Sequence, residues 1–327
     1  MLKTIQWGII GCGDVTELKS GPAFNKIQGS QLTAVMRRDT EKARDYALRH
    51  NVPKWYDNAN DLMNDPDVNA IYIATPPLYH TEYSIRAMDI GKPVYVEKPM
   101  AASYNDCLKM IKKSEETKVP LFVAYYRRSL PYFKKVKEII ESGTIGKVLS
   151  ASIAYITTPR KEDFAKDNLP WRVNKEIAGG GYFYDMASHQ FDLLDFFFGP
   201  VTEVYGTFAN KKGLYEAEDN VIASFKLENG ITGAGVWNFV AEKGNETDGI
   251  IIIGEKGTLS FAAFDFTPII LFEGGNVTEY KPENPENIQY FLIKDVVEEL
   301  QGIGKSPSDG VSGARTNKVM DIILQKI

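Results

Sequence analysis

The sequence contains few cysteines and histidines and no long apolar run. Only two of its 327 residues are cysteine, Cys12 and Cys107, and neither has the spacing of a metal ligand or a disulfide partner. We therefore expect no metal site and a reducing compartment, the cytoplasm. No run is long enough to span a membrane. Gln6 and Gly8 interrupt the apolar stretch near the start, so we expect no signal peptide.

An excess of basic residues is also missing. The net charge is −5, and the lysines and arginines form no cluster or stripe, which argues against a nucleic-acid partner. Hydrophobic residues make up 43% of the chain and charged residues 25%, as is typical of a soluble globular enzyme. A chain of this length exceeds one ordinary core, so we expect two domains, 1–124 and 125–327.

The first 124 residues alternate short apolar runs with amphipathic segments. This pattern predicts a doubly wound parallel sheet of about six strands, an α/β fold. Predicted strands lie at 4–10, 31–36, 70–74, 94–96 and 121–125, and predicted helices at about 40–50, 58–63, 79–90 and 103–118. In such sheets, ligands bind beyond the carboxyl ends of the strands.

A glycine-containing turn follows the first predicted strand. It reads Gly11-Cys12-Gly13-Asp14-Val15-Thr16, a G-x-G pattern with Thr where a third Gly or Ala is usual. The first glycine permits a tight turn, and the second lets backbone N–H groups approach a pyrophosphate. We expect Gly11, Gly13, Asp14 and Val15 to bind a dinucleotide, although an ordinary glycine turn is the alternative.

Two arginines stand where the second strand ends. An NAD enzyme usually has an acid there for the ribose 2′-hydroxyl, whereas arginine suits the 2′-phosphate of NADP. Arg37 or Arg38 is expected to pair with the phosphate and the other to stack on the adenine, which favours NADP over NAD. In the alternative, both are solvated, and Asp39 either caps the next helix or meets the ribose itself.

A lysine ends the fourth predicted buried strand. Val94 to Val96 run directly into Glu97-Lys98-Pro99, and the proline biases Lys98 toward an extended backbone. A lysine held there can donate to a substrate oxygen and offset charge that develops on it. In the alternative reading, the charged pair simply marks a strand end in water.

The second half of the chain reads differently. Strands are predicted at 147–155, at six apolar runs between 201 and 273, and at 277–280. The dipeptides Asn229-Gly230 and Gly274-Gly275 predict hairpins between such strands. We therefore expect a large, mostly antiparallel sheet. Helices are predicted at about 131–142, 182–198, 289–302 and 309–326. This domain is expected to bind substrate and to mediate oligomerisation.

The predicted helix at 182–198 carries an acid and a base one turn apart. Asp185 and His189 share one helix face, and an aspartate beside an imidazole suits proton transfer. The glycines at 179–181 would leave space for a ligand. In the alternative, Asp185 and His189 are buried and only satisfy each other's hydrogen-bonding groups. His80 either faces the cofactor or packs at a helix start.

Taken in order, these motifs resemble the Gfo/Idh/MocA oxidoreductase family over essentially the whole chain. The resemblance implies a Rossmann domain, a second α/β domain with an open sheet, and hydride transfer with a nicotinamide cofactor. It assigns Lys98 as the catalytic lysine and Asp185 and His189 as the acid/base pair. It also places Thr75-Pro76, Glu97 and Trp171-Arg172 near the cofactor. Thr16, and Pro77 where many members have Asn, depart from the pattern.

The leading interpretation is an NAD(P)-dependent dehydrogenase or reductase that acts on a hydroxyl of a sugar, cyclitol or related polyol. A glycosidase with a tightly bound nicotinamide cofactor and a non-catalytic sugar or dinucleotide sensor are the alternatives. We expect Lys98, Asp185 and His189 to converge on one cleft. Apolar residues on both faces of the second sheet predict a homodimer or homotetramer.

Overall fold

The computed structural model describes residues 2–327, which form two compact units. Among the described residues, the first unit comprises 2–130 and Asn284–Ala314, and the second comprises Pro131–Glu283 and Arg315–Ile327. The first unit thus extends past residue 124 and includes a later segment that the sequence placed in the second domain. A division into independently folding domains at residue 124 stays a prediction.

The first unit contains a six-stranded sheet and its flanking helices. Its strands are β1 (Ile5–Ile10), β2 (Ser30–Met36), β3 (Lys54–Tyr56), β4 (Ala70–Ile73), β5 (Val94–Val96) and β6 (Leu121–Val123). Its helices are α1 (Asp14–Leu18), α2 (Gly21–Phe24), α3 (Thr40–Arg49), α4 (Ala59–Asn64), α5 (His80–Asp89), α6 (Tyr104–Thr117) and, after the second unit's residues, α10 (Tyr290–Gln301).

The strand order is β3-β2-β1-β4-β5-β6, and every neighbouring pair is parallel. This order defines a doubly wound sheet, as predicted, with its topological switch between β1 and β4. Strands β4, β5 and β6 are buried at every position, which explains their continuous apolar runs. Strand β3 was not predicted, because its three residues, Lys54, Trp55 and Tyr56, are not a buried apolar run like those of β5 and β6.

The second unit contains an eight-stranded sheet. Its strands are β7 (Val148–Ile156), β8 (Val201–Ala209), β9 (Asn220–Leu227), β10 (Thr232–Asn238), β11 (Thr247–Gly254), β12 (Gly257–Phe261), β13 (Ile269–Glu273) and β14 (Asn276–Tyr280). Its helices are α7 (Pro131–Glu141), α8 (Lys175–Ala178) and α9 (Tyr182–Phe198); the last helix, α11 (Gly310–Ile323), begins in the first unit and ends in the second.

The order β14-β13-β12-β11-β7-β10-β9-β8 is antiparallel except where β10 pairs with β7. Both predicted hairpins are confirmed. Gly274 and Gly275 have positive φ angles of 56° and 82° in the turn from β13 to β14, a conformation that favours glycine. Gly230 likewise has φ 86° between β9 and β10.

Helix α9 packs on one face of this sheet. Trp237 on β10 is fully buried, donates its indole N–H to Gln190 Oε1 at 2.6 Å and contacts the Phe183 and Phe191 rings. This packing explains why α9 carries apolar residues on nearly all of its faces. It also fixes the position of the helix that carries Asp185 and His189. Across residues 2–327, no helix has the length and apolarity needed to cross a membrane.

Candidate active site

The carboxyl ends of β1 and β4 flank the switch point of the parallel sheet. Gly11 follows β1 with φ 93°, and its N–H donates to Met36 O at 2.9 Å. A Cβ there would lie 2.9 Å from Thr75 Cγ2, so the close approach also requires glycine. The β1 turn and the Thr75-Pro76 segment after β4 therefore meet at the edge where such sheets bind ligands.

Gly13 faces open space at the start of α1. A Cβ added to it would meet nothing closer than Gly11 O at 3.9 Å. Thr16, the departure from the usual glycine or alanine, is fully buried; its hydroxyl donates to Gly13 O at 2.7 Å, and Tyr46 Oη donates to its carbonyl at 2.8 Å. The threonine therefore closes the turn and leaves the space above Gly13 free.

Arg37 and Arg38 leave β2 in different directions. Arg37 Nη1 donates to Cys12 O at 3.3 Å, which brings its guanidinium to the glycine turn. The guanidinium of Arg38 lies 5.7 Å above the centre of the Tyr79 ring. Asp39 caps α3 through a hydrogen bond from Lys42 N–H at 3.1 Å, which lowers the pKa of its carboxyl.

Thr75 and His80 connect the ends of β4 and β5. Thr75 Oγ1 is buried and has no hydrogen-bond partner among residues 2–327. The fully buried His80 ring contacts Thr75 O at 2.7 Å through Nε2 and Pro99 O at 3.1 Å through Nδ1, and burial lowers its pKa. These contacts support the alternative in which His80 packs at the start of a helix. Any influence of His80 on a cofactor would therefore pass through the Thr75 and Pro99 segments.

Glu97 is the centre of a buried polar network. Its Oε1 accepts from Tyr72 Oη and Gln289 Nε2, both at 2.6 Å, and Gln289 Oε1 accepts from Tyr95 Oη at 2.8 Å. Burial, followed by the negative charge of Glu97, raises the pKa of both tyrosines well above the usual value. Both hydroxyls therefore stay protonated as donors.

The half-buried Lys98 is anchored to this network. Its N–H donates to Glu97 Oε2 at 3.1 Å, and Glu97 N–H itself closes the sheet by donating to Ile73 O at 2.9 Å. The Lys98–Pro99 peptide bond is cis. Lys98 thus projects from the same sheet edge as Gly11 and Thr75. Gln289 carries no sequence signal of this role, because it lies 192 residues from Glu97.

The second unit positions the acid and the base on α9. His189 is 4% exposed, and its ring packs edge to face on Phe264 with centroids 5.8 Å apart. Asp185 forms an ion pair with Arg172, with Oδ2 and Nε 3.4 Å apart. The Arg172 guanidinium also lies 4.6 Å above the Trp171 ring. The Trp-Arg pair therefore contacts the acid within this unit.

The glycines before α9 have a packing role that the sequence did not reveal. A Cβ at Gly181 would lie 2.6 Å from Ala217 Cβ, and one at Gly180 would lie 2.9 Å from Tyr184 Cβ. Gly181 N–H donates to the buried Glu218 at 3.0 Å. Protein atoms occupy the space expected for a ligand, so that expectation is wrong at these two glycines.

Asp248 is a further residue that sequence patterns missed. Its carboxylate oxygens accept from the N–H groups of Ala263, Phe264 and Asp265 at 3.0, 2.6 and 2.9 Å. These bonds order the segment whose phenyl ring contacts His189. A single aspartate at the start of an apolar strand gives no sign of this contact, which depends on the pairing of β11 with β12.

These features fit a bound dinucleotide. The turn at Gly11 approaches β4 closely, the space at Gly13 is open, and the buried Thr75 hydroxyl oxygen beside them lacks a protein partner. Open glycine backbone at a switch point suits a pyrophosphate.

Comparisons with known proteins agree with this geometry. The family model described as "Oxidoreductase family, NAD-binding Rossmann fold" matches residues 5–125, and the GFO/IDH/MocA C-terminal domain matches residues 133–260. Oxidoreductase P35 from Formosa agariphila is 39% identical over 326 residues, which cover 98% of this chain and 99% of that protein.

Two further relatives have more specific names. Myo-inositol 2-dehydrogenase from Thermotoga maritima is 26% identical over 314 residues, covering 93% of this chain and 88% of that protein. The structure of the WlbA dehydrogenase from Bordetella pertussis, in complex with NADH and UDP-GlcNAcA, is similar with a TM-score of 0.83 and 26% identity, covering 98% of this chain and 96% of that one.

The doubly wound sheet and its glycine turn thus define an NAD-binding oxidoreductase with a second, mostly antiparallel sheet. The chain belongs to the Gfo/Idh/MocA oxidoreductase family, as its motifs predicted.

The open space at Gly13 gives a prediction that separates cofactor binding from folding. The Gly13→Ala variant should bind NAD(P) at least about tenfold more weakly, because its methyl group would take up space expected for the pyrophosphate. Its unfolding free energy should fall by at most about 1 kcal/mol, the cost of alanine at a helix N-cap. Calorimetric cofactor titration and denaturant unfolding measure the two effects. Unchanged cofactor affinity would refute this placement.

Proposed function

We propose that this protein is an NAD(P)-dependent dehydrogenase or reductase that acts on a hydroxyl-bearing carbon of a sugar, cyclitol or related polyol. The observation that carries the proposal is the edge of the parallel sheet, where Lys98 follows β5 and Thr75, which closely approaches the Gly11 turn, follows the neighbouring strand β4. The relatives named for myo-inositol and found with a nucleotide sugar support the substrate class.

The chain's own residues have three proposed roles. Bound NAD(P) supplies the hydride acceptor or donor. Lys98 donates a hydrogen bond to the reacting oxygen and offsets negative charge that develops there. His189 moves the proton of that hydroxyl, and Asp185, one turn earlier and held by Arg172, supports the imidazole as it takes up charge.

Loss of Lys98 or of His189 gives the first functional prediction. Lys98→Ala and His189→Ala should each lower kcat by about 10²–10⁴-fold, because each removes a group needed in the transition state. A spectrophotometric screen of NAD(P) reduction with hexoses, hexitols and inositols supplies the substrate. Lys109→Ala, which changes an exposed lysine paired with Asp106, serves as the control. Turnover within a factor of a few in both active-site variants would refute the roles.

The same assay separates the alternatives. Net reduction of free cofactor is expected of a dehydrogenase. Cleavage of a glycoside without net reduction would indicate a glycosidase with a retained cofactor, and ligand binding without turnover would indicate a sensor. The cytoplasmic location expected from the cysteine content stays a prediction.

We further propose that the cofactor is NADP rather than NAD. Arg37 reaches the glycine turn and Arg38 stacks on Tyr79, so two cations flank the end of β2. Asp39 is engaged with Lys42, through both its backbone N–H and its ammonium group 3.2 Å away. This engagement supports the helix-cap alternative for Asp39 over an aspartate that accepts from the ribose.

Cofactor choice is tested by dissociation constants. Arg37→Ala and Arg38→Ala should weaken NADP binding in at least one variant by about 10-fold or more, because a charge-assisted bond to the 2′-phosphate is lost, and should leave NAD binding nearly unchanged. Arg44→Ala on α3 is a control. Tighter binding of NAD by the wild type, or no selective loss of NADP in either variant, would overturn the proposal.

We also propose a homo-oligomer that pairs the uncovered face of the eight-stranded sheet with a second copy. Cross-strand neighbours on this face form a row of small and apolar residues across six neighbouring strands: Tyr205, Ser224, Ala234, Ser152, Ile251 and Ser260. Tyr205 is 72% exposed and Ile251 is 40% exposed. A face of exposed small and apolar side chains on one chain can pair with the same face of a twofold-related copy.

Light scattering at micromolar protein should give a dimer or tetramer. Ile251→Asp should shift the population toward the monomer, because the interface would bury an unpaired charge. Leu48→Asp introduces the same charge at an apolar residue on α3 that is 64% exposed, and it should leave the oligomer intact. A monomeric wild type would refute the proposal.

A further inference from the structure

Tyr155 lies near His189 in the second unit, at the end of β7. Its ring packs between Phe239 and Phe264, with centroid distances of 6.0 and 4.8 Å. Phe264 in turn contacts the His189 ring. Tyr155 and His189 therefore contact the same phenyl ring, which places both side chains in one region of this unit.

The hydroxyl of Tyr155 makes no hydrogen bond with any residue that the structure describes, although the side chain is nine-tenths buried. Buried tyrosine hydroxyls normally find a partner. Tyr182, its neighbour across Phe239, donates to Asp163 at 2.6 Å, and Tyr132 donates to Thr267 O at 2.7 Å. The Tyr215 hydroxyl also lacks a partner, but it is sealed from solvent, whereas the Tyr155 oxygen is not.

The groups around this hydroxyl leave it a donor. Burial raises the pKa of Tyr155, and the negative charge of Asp248 adds to the rise, whereas the nearby positive charge of Arg160 opposes it. Asp248 already accepts three backbone hydrogen bonds, and Asp185 is paired with Arg172. A protonated phenol without a protein acceptor is suited to an oxygen that a ligand brings.

We propose that Tyr155 is a specificity-determining residue that donates a hydrogen bond to a substrate hydroxyl on a carbon other than the reacting one. This inference rests on the proposed polyol dehydrogenase function and adds the residue that discriminates between polyols. A substrate without that hydroxyl would leave the phenol unsatisfied and would bind less well.

The test compares Tyr155→Phe with Tyr215→Phe, which removes the same atom from a sealed site in the same unit. The probes are the best substrate of the hexose, hexitol and inositol panel and its monodeoxy analogues. Tyr155→Phe should lower kcat/KM for the parent about tenfold, chiefly through KM, the usual effect of one neutral hydrogen bond. With the wild type, one deoxy analogue should have a kcat/KM about tenfold lower than that of the parent. With Tyr155→Phe, that analogue and the parent should have similar kcat/KM values. Tyr215→Phe should match the wild type throughout.

Three results would overturn the inference. Tyr155→Phe could match the wild type on every probe, or it could lose the same factor on the parent and on all analogues, which would indicate a general structural effect. In both cases wild-type turnover would leave the proposed function standing. Absence of turnover with every panel member would reject the proposed function, and the specificity role with it.

Discussion

The buried carboxylate of Glu97 is the interaction on which the site in the first unit depends. A buried charge at the end of an apolar strand is costly unless hydrogen bonds compensate for the lost hydration. Here the hydroxyl of Tyr72, the amide of Gln289 and the N–H of Lys98 meet that requirement. The network fixes the backbone where β5 ends, and so it fixes the direction in which Lys98 leaves the sheet.

In the second unit, hydrogen bonds and an ion pair to carboxylates likewise position the side chains of the proposed site. Asp248 orders three successive N–H groups, which places Phe264 against both His189 and Tyr155. Arg172 holds Asp185 one turn before His189. In both units the reactive side chain is held by residues that do not themselves take part in the proposed chemistry. Such supporting contacts determine how closely a catalytic group keeps its working geometry.

Much of this architecture follows from local sequence. Continuous apolar runs predicted the parallel strands, the two glycine-containing turns predicted hairpins, and Gly11-x-Gly13 followed the first strand as expected. Contacts between segments that are distant in the sequence were not predicted. Gln289 reaches Glu97 from far along the chain, and Ala217 fills the space at Gly181. No local period or propensity encodes such contacts, because they arise only once the sheets and helices have packed.

The central claim, that Glu97 acts by orienting Lys98, is tested most directly by a double-mutant cycle. Glu97→Gln should lower kcat about 10- to 100-fold when Lys98 is present, because misplaced catalytic groups lose rate steeply. In the Lys98→Ala background the same change should have almost no further effect on kcat, since the two residues act as one unit. An equal loss in both backgrounds would contradict the account and would show that the buried carboxylate supports activity independently of Lys98.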